Sequence, residues 1–231
     1  MAESVSSETV VLRHLALYRM SIAAAIEAAC LDGQSSKNLL ARLRNENKIR
    51  SVRGAIGKLA YYQLTRTSAR VVEAPESRAE EIGPAALPRH LAVLWYCCLS
   101  GGNRCRIENN FDGIEGAEEL REIPGDDPHC IEFGESSEPA QMQRLFIPGT
   151  EQGEEYHITK LKSRIETMRA TPVLNDWLED RTYAFVFLVE TEGKREKFLQ
   201  LIAEEPSAKS LDIRVALAPS PSTLKDFLND A

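Results

Sequence analysis

The stretch YAFVFLVE at 183–190 constrains the fold more than any other part of the chain. It has strand length and no alternation of apolar and polar residues, so it fits a central strand covered on both faces. HCIEF (129–133) and QRLFI (143–147) read as two more strands, LDIRVAL (211–217) as another, and RCRIENNF (104–111) as a short one. Helices are expected over 88–99, 155–169, 193–204 and 222–228, the third with Phe198, Leu199 and Ile202 inward. Strands and helices alternating around a doubly buried strand imply an α/β sheet with at least one parallel pair. The acidic stretch 112–128 is expected at the surface.

The first seventy residues have a different pattern. Val11, Leu12, Leu15 and Tyr18 recur at helical spacing and predict a helix over 8–20. An alanine-rich segment with Ile22 and Ile26 predicts a second over 21–31, stopped by Asp32-Gly33. Ser35 or Ser36 can cap a third, which runs to about residue 47. A hairpin follows, KIRSVRG (48–54) and KLAYYQL (58–64), with Gly54 and Gly57 bracketing the turn. Thr65 then caps a short helix over 66–71. Three helices and a basic hairpin in this order predict a winged helix-turn-helix.

The third helix carries the functional expectation. Leu39, Leu40 and Leu43 share one face, with Ser36 near it. The opposite face carries Asn38, Ala41, Arg42 and Asn45, with Lys37 and Lys48 on its flank. Arg and Asn read guanine and adenine edges, and Lys suits phosphates. Arg50, Arg53 and Lys58 are expected where the hairpin tip meets a DNA backbone. The expected DNA-binding set is therefore Ser36, Lys37, Asn38, Ala41, Arg42, Asn45, Lys48, Arg50, Arg53 and Lys58, against the plainer alternative of a solvated helix face.

Charge supports a division of labour. Residues 1–71 hold 11 Lys+Arg and 5 Asp+Glu, a net +6; residues 72–231 hold 17 and 30, a net −13. The basic part suits double-stranded DNA, and the acidic part suits a protein partner or a second copy of the chain. The segment 72–88, VEAPESRAEEIGPAALP, is rich in Pro, Ala and Glu and reads as a linker. The expected domains are 1–71, a linker 72–88, and 89–231. The N-terminus lacks a secretory pattern and no apolar run reaches membrane-spanning length, so a cytoplasmic protein without membrane contact is expected. The cysteines (Cys30, Cys97, Cys98, Cys105, Cys130) make no CxxC pair, and His14, His90, His129 and His157 are scattered. No disulfide framework, metal site or cofactor is expected.

Several segments resemble the replication-relaxation family of plasmids, phages and integrative elements. YYQLTRTSARVV (61–72) is similar to that family's wing strand and the helix after it, LPRHLAV (87–93) to its Leu-x-His-x-Leu helix, and FVFLVETEGKREKFLQLI (185–202) to its late strand and charged helix. The resemblance implies an α+β protein: a winged helix-turn-helix followed by an α/β domain akin to PD-(D/E)xK nucleases. That chemistry needs carboxylates at the ends of two neighbouring strands to hold a divalent cation, with a lysine nearby. Here Pro128-His129 and FIPGTEQG, with Pro148 and Thr150, stand at those places. Asp127, Glu132, Glu151 and Lys160 are the available substitutes, and none matches in spacing. The implied protein is a non-enzymatic DNA-binding regulator or accessory factor of a mobile element. The alternatives are a metal-dependent nuclease using those four residues and a winged helix that binds protein instead of DNA.

Overall fold

The computed structural model describes residues 5–107, 114, 117–123, 125–134, 139–149 and 152–230. The fold is a mixture of helices and strands in two compact units, residues 1–101 with 219–231 and residues 102–218.

In the first unit, α1 (Ser7–Tyr18) starts at Ser6, whose Oγ accepts from the Thr9 N–H. It ends at Arg19 in the left-handed region. The expected second helix is shortened at its start. Ser21–Ile22 is a two-residue strand, β1, and α2 is Ala23–Cys30. The extended backbone there pairs with the hairpin (Ser21↔Tyr62, Ile22↔Tyr61), and the buried His14 imidazole bonds Ser21 Oγ through Nε2 at 2.9 Å. These partners outweigh the helix propensity of the alanines that follow.

The third helix, α3, is Lys37–Asn45 and runs straight into β2 (Ile49–Gly54). A tight turn leads to β3 (Gly57–Leu64). Gly54 and Gly57 have φ of 84° and 61°, a conformation that costs glycine nothing. The sheet order is β1-β3-β2, all antiparallel. Thr65 caps α4 (Arg66–Val71) by accepting from the Ser68 N–H. Val11, Leu12, Leu15, Ile26, Leu40, Leu43, Ile49 and Leu64 form one core. Each such side chain contributes about 1.5–3 kcal/mol by leaving water.

Residues 72–88 do not separate the units; the division falls at Gly101–Gly102 and Ala218–Pro219. A 3₁₀ turn, Glu76–Ala79, buries Ala79 in the core of the first unit, and Ile82 is also buried. Gln63 Nε2 donates to the Glu80 carbonyl and Arg50 to the Ala79 carbonyl. The stretch satisfies its backbone against the hairpin, which its small, isolated apolar residues conceal in sequence. α5 (Leu87–Cys98) packs against α1 and α2, and Trp95 meets Phe227 edge-on at 5.3 Å.

The second unit is a five-stranded sheet in chain order: β4 (Arg104–Ile107), β5 (His129–Phe133), β6 (Pro139–Phe146), β7 (Tyr183–Val189) and β8 (Asp212–Leu217). The first three strands run antiparallel, and β6, β7 and β8 are parallel, so the expected parallel pair is present. All seven residues of β7 are buried. Three helices are joined to these strands: α6 (Glu154–Arg169), α7 (Pro172–Glu179) and α8 (Glu192–Glu204); α9 (Leu224–Asp230) belongs to the first unit. Leu161, Ile165, Met168, Leu174, Leu178 and Phe198 meet one sheet face, where Phe187 stacks between Phe146 and Phe198. On the opposite face Arg214 bonds Glu132, Gln141 and Asp212, and Gln143 bonds Glu132. Of the segment expected at the surface, 112–128, the described residues Leu120, Ile123 and Asp127 are buried, the first in a 3₁₀ turn at Ala117–Glu122, while Glu118, Arg121 and Asp126 are exposed. Among the described residues no helix is long and apolar enough to cross a membrane.

Candidate nucleic-acid interface

The geometry of α3 is decided by its leucines. Leu40 and Leu43 are buried and Leu39 is half-buried against the same core. The remaining surface must face outward: Asn38, Ala41 and Asn45 are exposed at its centre, Arg42 on one flank, Lys37 and Arg44 on the other. Arg44 is an exposed cation that the sequence reading left out, although it stands one turn after Ala41 and two turns after Lys37. At the hairpin, Arg53 and Lys58 are exposed on either side of the glycine turn.

Four of the expected residues are placed otherwise or already engaged. Ser36 is fully buried; its Oγ and backbone N–H both donate to Glu27 Oε1, at 2.8 and 2.9 Å, so it locks α2 to α3 and offers nothing outward. Arg50 lies at the base of the hairpin. Its Nη2 donates to Gln63 Oε1 at 2.9 Å and to the Ala79 carbonyl at 3.0 Å, because residue 50 pairs with residue 63 in the ladder. Arg42 is exposed, and its Nη2 reaches Glu8 Oε2 at 3.1 Å. Lys48 Nζ lies 2.6 Å from Glu8 Oε1 and 2.7 Å from Glu46 Oε2. The hydrogen bond from Lys48 holds the Glu46 carboxyl below its ordinary range, and those to Glu46 and Glu8 hold the Lys48 ammonium above its own. Glu8, from α1, thus occupies two cations with one carboxylate. Lys37, Asn38, Ala41, Asn45, Arg53 and Lys58 are exposed as expected.

In the second unit, the start of β5 and the end of β6 are neighbours (His129↔Arg144). Asp127 stands there, almost buried, against Arg144, which is 1% exposed; Arg144 Nη2 is 3.0 Å from Asp127 Oδ2. Lys160 Nζ from α6 is 3.7 Å from Asp127 Oδ1. Arg164 lies beside them, its guanidinium pushed below its ordinary pKa by burial and by Arg144. His129 bonds Tyr183 Oη at 3.0 Å, and burial with the Arg144 charge depresses its pKa to about 3. Glu132 does not join Asp127. It lies on the other sheet face, paired with Arg104 and Arg214. Glu151 and Thr150 are outside the described residues. Among the described residues no three His, Cys, Asp or Glu side chains converge as a metal site would need. No family model matches this chain, and no curated protein or solved structure is significantly similar to it.

Proposed function

We propose that the chain is a non-enzymatic DNA-binding protein, whose first unit is a winged helix-turn-helix that docks α3 on double-stranded DNA. The observation that carries this reading is one surface: Asn38, Ala41 and Asn45 at the centre of an outward helix face, cations on both flanks, and Arg53 and Lys58 on the hairpin that continues from it. The order α1-β1-α2-α3-β2-β3 supports a winged helix, since the sheet closes the helical layer and leaves α3 outward. Helix side chains then read bases and hairpin cations hold phosphates. The resemblance to the replication-relaxation family points to replication, transfer or transcription of a mobile element.

The second unit is read as a nuclease-like scaffold without the nuclease site. Its element order, three antiparallel strands, two helices and a strand parallel to the third, suits that scaffold. Next to Pro128-His129, where the first metal-binding carboxylate belongs, Asp127 is held by the Arg144 guanidinium, which sits against it as a cation would. This unit carries 14 Lys+Arg and 24 Asp+Glu, which suits a protein partner or a second copy better than DNA.

Titration of a fluorescent duplex library, followed by selection of the bound sequences, tests the reading. Asn45→Ala is expected to relax preference at one base pair at a cost of about 1–3 kcal/mol, while Lys58→Ala weakens all sequences alike. Absence of any duplex binding at low salt removes the reading. The engagement of Arg42 and Lys48 by Glu8 favours a second reading, a winged helix that binds protein; duplex-independent capture of one partner through α3 would select it.

A further inference from the structure

A cavity of about 190 Å³ opens at the carboxyl ends of the parallel strands β6 and β7, apart from the α3 surface. It is lined by Pro148, Gly149 and Gly153 from the loop after β6, by Glu154 and His157 of α6, and by Lys194 and Phe198 of α8. In sheets of this kind the carboxyl ends of parallel strands are where ligands collect, because helix starts converge there.

Three features give the cavity a sign. α6 is sixteen residues long and begins at Gly153, which has no side chain to cap its first N–H groups, so the partial positive charge of that helix end favours an anionic occupant. Lys194, in the first turn of α8, adds a full positive charge. His157 is only 7% exposed, and its Nε2 is buried without a hydrogen-bond partner. A buried polar atom left unsatisfied costs about 1–3 kcal/mol, so an occupant that bonds it is favoured. The ring is fixed from both sides, by Tyr156 edge-on at 5.3 Å and by Phe198 at 6.3 Å. Glu154 opposes a plain anion. A carboxylate in an anion site is consistent with an anion that keeps a proton, which it can accept as a hydrogen bond, and is repulsive to one that has none.

We propose that this cavity binds a phosphate group that retains one proton, held by the first turn of α6, Lys194 and His157, with Glu154 accepting from the P–OH. The group is a small phosphomonoester or the terminal phosphate of a nucleic-acid strand, and the site is independent of the α3 surface.

The test uses the full chain and follows its amide resonances at about pH 6, where a phosphate monoester is close to half protonated. Inorganic phosphate is expected to shift the amides of the first turns of α6 and α8 saturably. Lys194→Ala should weaken this at least about tenfold, the effect of losing a bond to a charged group. His157→Phe keeps the ring packing and should weaken it similarly, while His157→Gln, which restores a donor, should stay within about threefold of wild type. Sulfate should bind about tenfold more weakly than phosphate, and Glu154→Gln should close that gap. A 5′-phosphorylated tetranucleotide that binds more tightly than inorganic phosphate assigns a strand end; no gain over phosphate assigns a small phosphomonoester. The proposal is overturned if no saturable shift occurs, if Lys194→Ala leaves the affinity unchanged, or if sulfate binds as well as phosphate to the wild-type chain.

Discussion

Asp127→Ala isolates the reading of the second unit, because it removes a carboxylate held 3.0 Å from the buried Arg144 guanidinium. Asp127 faces two cations at close range, Arg144 at 3.0 Å and Lys160 at 3.7 Å, with Arg164 alongside. Lys160 is a third exposed and can turn to water; Arg144, at 1% exposure, cannot. Breaking a buried pair from one side costs about 3–5 kcal/mol. For a unit of this size that corresponds to a fall of roughly 12–20 °C in its melting temperature. Arg144→Met should cost less, because Asp127 keeps Lys160. The double variant Asp127→Leu with Arg144→Met should recover most of the stability, since apolar replacement of a buried pair is often neutral or better. Urea unfolding followed by tryptophan fluorescence gives all three values, with Trp177 reporting on this unit. A cost below about 1 kcal/mol for Asp127→Ala, or strictly additive single and double effects, refutes the argument that the guanidinium and carboxylate neutralise each other in place of a metal.

Three further outcomes follow from the first unit. Glu8→Gln should loosen Arg42 and Lys48, which keep Glu46 as a partner, and raise duplex affinity about two- to fivefold at low salt, measured by fluorescence anisotropy; unchanged affinity would remove Glu8 as a competitor of DNA. Arg50→Ala should destabilise the chain by about 1–3 kcal/mol through the loss of its bonds to Gln63 and Ala79, yet leave the salt dependence of duplex binding unchanged; a shallower slope would return Arg50 to the interface. His14 is buried and burial lowers its pKa from 6.5 to about 4. The unfolded chain therefore binds more protons between those values, so the His14 contribution is present above pH 6.5 and is lost, at up to about 1.4 kcal/mol per pH unit, as pH falls toward 4. His14→Gln should flatten this acid limb in chemical denaturation, and an unchanged limb would contradict the assignment.

How far the sequence reaches is visible in single residues. The outward face of α3 was legible because Leu40 and Leu43 admit one orientation, and β7 because a seven-residue apolar run has few other homes. β1 was not legible, since two residues carry no periodicity and only the free edge of β3 calls them into a strand. Ser36 looked like a cap, yet Glu27, nine residues earlier, claims both its hydroxyl and its N–H. Arg50 looked like a phosphate contact until the ladder placed it opposite Gln63 and the segment after α4 folded back over it. The helix Pro172–Glu179 passed unnoticed although Pro172 at its first position and Leu174 and Leu178 four apart were sufficient signals. Asp127 and Arg144 are seventeen residues apart, and nothing but the β5–β6 register joins them.

The salt dependence of duplex binding by the full chain tests the central claim most directly. Lys37, Arg44, Arg53 and Lys58 are the exposed cations of the proposed surface outside the Glu8 cluster. If each neutralises one phosphate, the logarithm of the binding constant falls with the logarithm of salt concentration with a slope of about −3 to −4. Lys58→Ala and Arg53→Ala together should make that slope shallower by about two units without changing the melting temperature by more than a degree or two. A slope near zero in the wild-type chain, or a steep slope that the double variant leaves intact, contradicts a DNA interface built on α3 and the hairpin.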